Sequence, residues 1–503
     1  MAADGTKEAI LDSLVENARH WRGLRDYAYD VNMPLLFNSN ESPLPCRETP
    51  AEFEAINSSF SSQIHALFEA LHDFEGLSKT EGKAEGKTEE VDGYIRKGGL
   101  IVIIRINNQS FDRYPDCLHR YFHWRRLSLR DPAALPQLWR VSELRLFPAP
   151  DYSAYIDLIN ARPVSLRLLL ELVLRLPALR SLDCPWLWER MPVAFRLRAL
   201  RHFSRPWEGP WRDERHEFGR AVHELHDRFP ASLAAARLWF WKPSAFYADE
   251  DQSIEMPDLV RPHDADPLSL GLRTVASHLE QFDVRAFLTP DLFRAPVTWP
   301  RMKRLRVEFH LWCPDGTWYF VGPRGENPHP DGGFEVTREQ HYPPVGPNEH
   351  DDEMDEEYAE DSGGEEEDER RTDMFRTEPL PCKIEPLLLA FADALRGMPA
   401  LEEAELFAYL AWQPSEERRR AYEDSDEAPY NQDRAIYRWG VSYTPGKDGS
   451  NGLLTWQVGS WRPREDVIQS FKALAPEGSE VKITWKPFEF ADERDDVDLT
   501  VFI

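Results

Sequence analysis

The segment HELHD, residues 223–227, sets two histidines and two carboxylates within about one helical turn. A zinc protease uses His-Glu-x-x-His, with two imidazoles four residues apart on one helix face. Here His223 and His226 are three apart, a spacing that could still share a metal. His216 lies two turns away on nearly the same face, about 10 Å along a helix, too far for one ion. All three stand off the Phe218/Val222/Leu225 stripe, so a solvated helix face is the reading and no metal is assigned. No G-x-G-x-x-G, G-x-x-x-x-G-K-[ST] or G-x-S-x-G sequence occurs. CPDGTW at 313–318 reads as a hairpin or loop tip, and the three Asn-x-Ser sequences at Asn40, Asn57 and Asn108 carry no weight without a secretory signal. The sequence therefore assigns no catalytic residue and no cofactor; a non-enzyme is favoured, with an enzyme carrying an unrecognised site near the C-terminal cap as the alternative.

A second set of residues suits recognition instead of catalysis. Arg145, Asp183, Arg237, Trp239, Trp241, Arg285, Arg306, Glu308, Glu405 and Phe407 alternate with apolar residues in short runs. If Leu144/Leu146, Leu182/Cys184, Ala236/Leu238/Phe240, Phe282/Val284/Ala286, Leu305/Val307/Phe309 and Ala404/Leu406 face a core, strand alternation turns these neighbours the other way. A row of arginine, tryptophan and mixed charge on one sheet face fits a protein partner, because Arg and Trp supply contact hot spots. The competing reading buries Trp239 and Trp241 under a second layer.

The elements that must carry these residues share one pattern, a helical stretch, a proline turn and a short strand. The prolines are 136, 177, 230, 300 and 399, and LEQFDVRAFL from Leu279 keeps the strand without the proline. Helical stripes precede them: Phe218, Ala221, Val222, Leu225 and Phe229; Leu268, Leu272, Val275, Leu279 and Phe282; Ile384, Leu387, Leu388, Phe391, Leu395 and Met398. From Leu166 to Leu176 all but Arg167, Glu171 and Arg175 are apolar, and those three share one ion-pair stripe. Helix, turn and strand in repetition predict parallel strands with crossover helices. The strand pattern is close to the L-x-x-L-x-L of a leucine-rich repeat, with longer and irregular spacing. The fold class expected is α/β, an irregular leucine-rich-repeat-like solenoid or curved parallel sheet. A C-terminal α+β cap closes it: strands 436–444 and 453–461 around a Gly-rich turn, a helix from Arg464 to about Ala475, and strands near 481–486 and 496–502.

The expected organisation is a helical segment 1–75, a flexible Gly/Lys/Glu linker 76–98, the repeats 99–320, a disordered Pro/Gly and acidic insertion 321–380, and the last repeat with the cap at 381–503. The chain of 503 residues is 42% hydrophobic, enough for a large core, and carries a net charge of -28. Residues 349–369 hold 14 carboxylates and no Lys or Arg, while residues 101–246 hold 23 basic against 15 acidic side chains. Clusters such as RYFHWRRLSLR favour nucleic acid, and the overall charge opposes it. Five cysteines without a Cys-x-x-Cys pair, no signal-like opening and no apolar run of membrane length predict a reduced protein off the membrane, cytoplasmic or nuclear.

MPALEEAELF after an amphipathic helix, then a Trp/Tyr-rich hairpin, then a helix opening RPREDVIQSF, resemble the carboxyl-terminal region of a large group of filamentous-fungal proteins. Many of those are F-box proteins or leucine-rich-repeat-like, and the likeness covers roughly residues 120–500. The resemblance implies a scaffold or substrate receptor. Where an amino-terminal F-box with a Leu-Pro-x-Glu-Ile opening is present, it implies recruitment to a cullin-type ubiquitin ligase. That opening is absent here; the nearest text is NMPLLFNSNESPLP.

Overall fold

The computed structural model describes residues 6–81, 91–92, 94–113, 120, 124–147, 162–185, 187, 189, 207–241, 251–344, 346, 373–422, 425, 429–432, 435–446, 450–475 and 478–488. The chain divides into two units, Met1–Leu238 with His341–Gly363, and Trp239–Gln340 with Gly364–Ile503. Among the described residues no helix is long and apolar enough to cross a membrane.

The first unit is built on five parallel strands: β1 (Asp26–Val31), β2 (Leu100–Ile106), β3 (Val141–Phe147), β4 (Ser181–Cys184) and β5 (Ala235–Trp239, whose last residue falls in the second unit), paired in that order. Its helices are α1 (Lys7–His20), α2 (Pro50–Glu81), α3 (Leu166–Val173) and α4 (Glu208–Leu225). One strand face is apolar and closed: Tyr27, Val31, Val102, Ile104, Leu144, Leu146, Leu182, Cys184, Ala236 and Leu238 are all buried. So are Ile10 and Leu14 of α1, Ile64, Phe68 and Leu71 of α2, and Phe218 and Val222 of α4. Helix stripes and this strand face thus make one core, and the polar stripe of α3 is used as well. Arg167 pairs with Glu171 at 2.9 Å and reaches Glu217 and Glu224 of α4, each at 2.9 Å. Ser165 caps α3 by accepting from the Arg167 amide.

The second unit carries β6 (Gln281–Ala286), β7 (Arg304–Phe309), β8 (Glu403–Trp412), β9 (Ala435–Thr444), β10 (Gly452–Gln457) and β11 (Val481–Lys486). β6, β7 and β8 are parallel, β8–β9–β10 run antiparallel, and β10 and β11 are parallel again. α5 (Pro267–Ala276), α6 (Pro381–Leu395) and α8 (Glu465–Lys472) contribute Leu272, Val275, Leu388, Phe391, Val467 and Phe471 to its core, and α7 (Glu416–Ala421) comes after β8. Asp266 opens α5 by accepting from the Ser269 amide at 3.0 Å, with Pro267 in the first helical position. The alternation expected in the hairpin holds, since Tyr437, Trp439, Val441, Tyr443, Leu454 and Trp456 are all buried. The protein is thus a mixed α/β fold on mostly parallel strands.

Four expectations need correction. Residues 1–75 are not wholly helical: β1 lies between α1 and α2, held by parallel pairing to the β-branched run of β2. The linker 76–98 is shorter than expected, because α2 continues to Glu81 and Ile95–Arg96 pairs with Val91–Asp92. The insertion 321–380 is partly built into the fold. Phe320–Val321 pairs antiparallel with Glu378–Pro379, and Met374, Phe375 and Arg376 are buried, the arginine donating to Gln252 O, Phe320 O and Asn327 Oδ1. The acidic run 349–369 and the strand expected near 496–502 lie outside the described residues. Last, Cys184, Cys313 and Cys382 are free thiols but Cys46 is disulfide-bonded, so the chain is not fully reduced.

Candidate functional site

Cross-strand pairing organises most of the residues expected to face away from the core. In the first unit Arg145, Asp183 and Arg237 stand in register on β3, β4 and β5. Arg237 forks onto Asp183, with Nε to Oδ1 and Nη2 to Oδ2 both at 2.6 Å. Arg145 donates to Glu143 on its own strand at 2.6 Å. Further along the sheet Arg105 forks onto Asp30 at 2.7 and 2.9 Å. Opposite charges set side by side on neighbouring strands stabilise the pairing. Arg145 and Arg237 remain half-exposed.

In the second unit two such rows run across β6, β7, β8 and β9. The first is Asp283–Arg306–Glu405–Ser442, and the second is Arg285–Glu308–Phe407–Gly440. Asp283 and Glu405 flank Arg306 at 3.3 and 3.9 Å, and Glu405 also pairs with Arg438. Burial works to lower the Arg306 pKa, but the carboxylates of Asp283, Glu308 and Glu405 outweigh it and hold the group above the ordinary arginine value. Arg306 thus stays a cation at any working pH. The first row is half-exposed.

The second row is closed. Arg285 donates Nε to Glu308 at 2.8 Å, and both are buried. The Trp239 ring lies 4.1 Å from the Arg285 guanidinium, while Trp239 Nε1 donates to Asp283 at 3.0 Å. Phe407 lies between two guanidinia, Arg306 at 4.5 Å and Arg438 at 4.0 Å from its ring centre. Gly440 makes this possible, since a Cβ there would stand 2.6 Å from Phe407 Cβ and 2.9 Å from Leu406 O. Trp241 is buried against Phe287 and His310, at 5.0 and 5.3 Å between rings.

Of the ten residues singled out by sequence, then, Arg285, Glu308, Phe407 and Trp241 are inside, and Asp183 is almost covered by Arg237. Arg145, Arg237, Trp239, Arg306 and Glu405 remain half-exposed. Sequence reasoning missed Arg438, because the hairpin was read as a separate cap. The alternating polar positions 438 and 442 of IYRWGVSYT were the available signal.

Of the basic clusters, RLRALRHFSR lies outside the described residues, and RYFHWRRLSLR has a different fate where it is described. Arg120 pairs with Glu52, Arg125 donates to Glu48 O at 2.6 Å, Arg126 to Glu189 O at 2.5 Å, and Arg130 pairs with Glu54. Buried Arg162 pairs with Glu48, and buried Arg215 with Glu189. Burial pushes the Arg120 guanidinium down to about 10, with Arg162 adding to the shift and Glu48 opposing it. Arginines that look free in sequence are bound to carboxylates and carbonyls. His223 and His226 stack at 6.4 Å on the solvent side of α4, and no group of metal-binding residues forms among the described residues. The sequence matches no protein-family model, no curated protein and no solved structure.

Proposed function

We propose that this protein is a non-catalytic recognition module, a scaffold or substrate receptor that holds a protein partner on the outward strand face. The reading takes the two units as parts of an irregular leucine-rich-repeat-like solenoid, with β9–β11 and α8 as its closing cap. It is the arrangement implied by the resemblance to fungal F-box-associated proteins. One observation carries it: parallel strands with a closed apolar face and an opposite face of half-exposed Arg145, Arg237, Trp239, Arg306 and Glu405. Such a face suits a partner with mixed charge. Nucleic acid is the weaker reading, because Arg120, Arg125, Arg126 and Arg130 are engaged internally.

The test is quantitative affinity capture with wild-type protein and with Arg145→Glu, Arg237→Glu and Arg306→Glu in one chain, each variant first shown to be folded. Loss of a defined set of partners supports the strand face, and an unchanged set rejects it. Recovery of a cullin adaptor with wild-type protein would extend the proposal to a ubiquitin ligase.

A further inference from the structure

β1 is an end strand of its sheet. Ile101 donates to Arg25 O and Asn107 to Val31 O, so the odd-numbered residues of β1 serve β2. In a parallel ladder the even-numbered residues then point their N–H and C=O groups away from it. Both ends of this outer edge are closed by the chain itself. Leu24 donates to Tyr94 O at 2.7 Å and accepts from the Arg96 amide at 3.0 Å. Gln63 of α2 takes both outer groups of Asn32, accepting from its amide at 2.9 Å and donating to its carbonyl at 2.8 Å. Asp30 O accepts from the Asn32 side chain at 3.3 Å. What remains is the N–H of Asp26, Ala28 and Asp30 and the C=O of Asp26 and Ala28, which have no partner among the described residues.

A cleft of about 540 Å³ runs along this gap, lined on the helix side by Ser13, Asn17 and Trp21 and on the strand side by Tyr27 and Tyr29. Trp21 is 61% exposed, and the Tyr29 hydroxyl is buried without a hydrogen-bond partner among the described residues. Asp26 is exposed and forms no ion pair among the described residues, although Arg25 and Arg96 line the same cleft. The open stretch, three outward residues over about 13 Å, has the length of a short extended segment. A second copy of the chain fits poorly. Antiparallel self-pairing about Ala28 would set Asp26 against Asp30 of the other copy, whose carboxylate is already taken by Arg105, so Asp26 would gain no cation there.

We propose that the free edge of β1 between Leu24 and Asn32 takes an extended peptide of a partner protein as an added strand, with a basic side chain facing Asp26. Main-chain hydrogen bonds to Asp26, Ala28 and Asp30 supply the affinity, and the cleft beside Trp21 and Tyr29 takes uncharged polar or aromatic side chains. This site is independent of the outward strand face.

The test uses the full chain and a panel of acetylated, amidated heptapeptides. The central residue is Lys, and Ser, Thr, Val and Tyr vary at the other six positions. Binding is read by hydrogen exchange at individual amides. The expected result is protection of the Asp26, Ala28 and Asp30 amides by a subset of the panel. For those peptides a central Glu should weaken binding several-fold, and Asp26→Lys should invert the preference. Ala28→Pro removes one outward donor where an edge strand tolerates proline, and should weaken binding about tenfold, the effect of leaving one partner unsatisfied. N-methylation of the peptide main chain reads the same bonds without altering the protein, and should also abolish binding. The proposal is overturned if no panel member protects these amides at millimolar concentration. Binding indifferent to N-methylation, or self-association of the chain through this edge, would overturn it equally.

Discussion

Removing the Glu308 carboxylate should be among the most damaging single changes in the second unit. Arg285 and Glu308 are 4% and 0% exposed, pair at 2.8 Å, and face each other across β6 and β7. Glu308→Ala leaves a guanidinium that water cannot reach, a situation that costs about 3–5 kcal/mol. The Trp239 ring offsets part of this, since a cation over an aromatic face contributes about 0.5–2 kcal/mol. Arg285 Nη1 already lacks a partner among the described residues, so these offer no spare acceptor to relax onto. In a domain of about 150–250 residues a loss of 3–5 kcal/mol lowers Tm by roughly 6–20 °C. Glu308→Gln keeps an acceptor and should fall between wild type and Ala. The double change Arg285→Met with Glu308→Leu removes both charges and should come within about 1 kcal/mol of wild type or above it. The assay is thermal and urea unfolding of the four proteins, with hydrogen exchange of β6 and β7 amides locating the loss. A Glu308→Ala cost below about 1 kcal/mol, the range of an exposed pair, would refute the claim that this row is closed to water.

Gly440→Ala should destabilise β8 and β9 by about 1–3 kcal/mol, the usual cost of overpacking, read as faster exchange in both strands. Its new Cβ meets Phe407 Cβ and Leu406 O. Arg376→Met should cost about 3 kcal/mol or more through the acceptors it leaves unpaired, and should loosen the pairing of Phe320–Val321 with Glu378–Pro379, again measured by exchange. Burial pushes Tyr29 and Tyr430 up to about 12. Unfolded tyrosine ionises near 10, so above that pH the unfolded chain has released protons that the folded chain holds. Their contribution is complete below pH 10 and lost between 10 and 12. Tyr29→Phe and Tyr430→Phe should each flatten the fall in stability across that window, and tyrosinate absorbance should show both groups titrating late.

Much of the architecture was legible because the proline turns mark where strands begin. β3, β4, β5, β7 and β8 start four or five residues after prolines 136, 177, 230, 300 and 399. All fifteen residues expected to point inward from the repeat strands are buried. Proline is disfavoured in a helix interior, and the apolar alternation after it defines a face. What failed was set by tertiary context. DYAYDV alternates but is short and sits between helical segments, and only pairing with β2 makes it a strand. GLSKTE reads as linker, yet α2 carries it through Gly76 to Glu81, because an established helix adds residues cheaply. The residues after the acidic run look solvated until Arg376 finds Gln252, Phe320 and Asn327.

The candidate face shows a limit of a different kind. Alternation states which side of a strand a residue occupies and nothing about its depth along the strand. Asp283, Arg306 and Glu405 share a side with Arg285, Glu308 and Phe407, and each stands two positions before its counterpart in the next row. Yet the first row is half-exposed and the second is buried. The difference arises at the carboxyl ends of the strands. Trp239 stacks over Arg285, and Trp241, Phe287 and His310 pack together just beyond the ends of β5, β6 and β7. These aromatics read in sequence as contact hot spots, and the same ring area serves equally to seal a sheet end. The guanidinia are no more decisive. A long arginine can lie flat on Phe407 with its head on Glu405, covering apolar surface while staying hydrated. An arginine–carboxylate row is therefore first a device for holding neighbouring strands in register. Under the proposed function it becomes a recognition surface only where the pair remains open enough for a partner's charges to compete for it, and Arg306 with Asp283 is more open than Arg237 with Asp183.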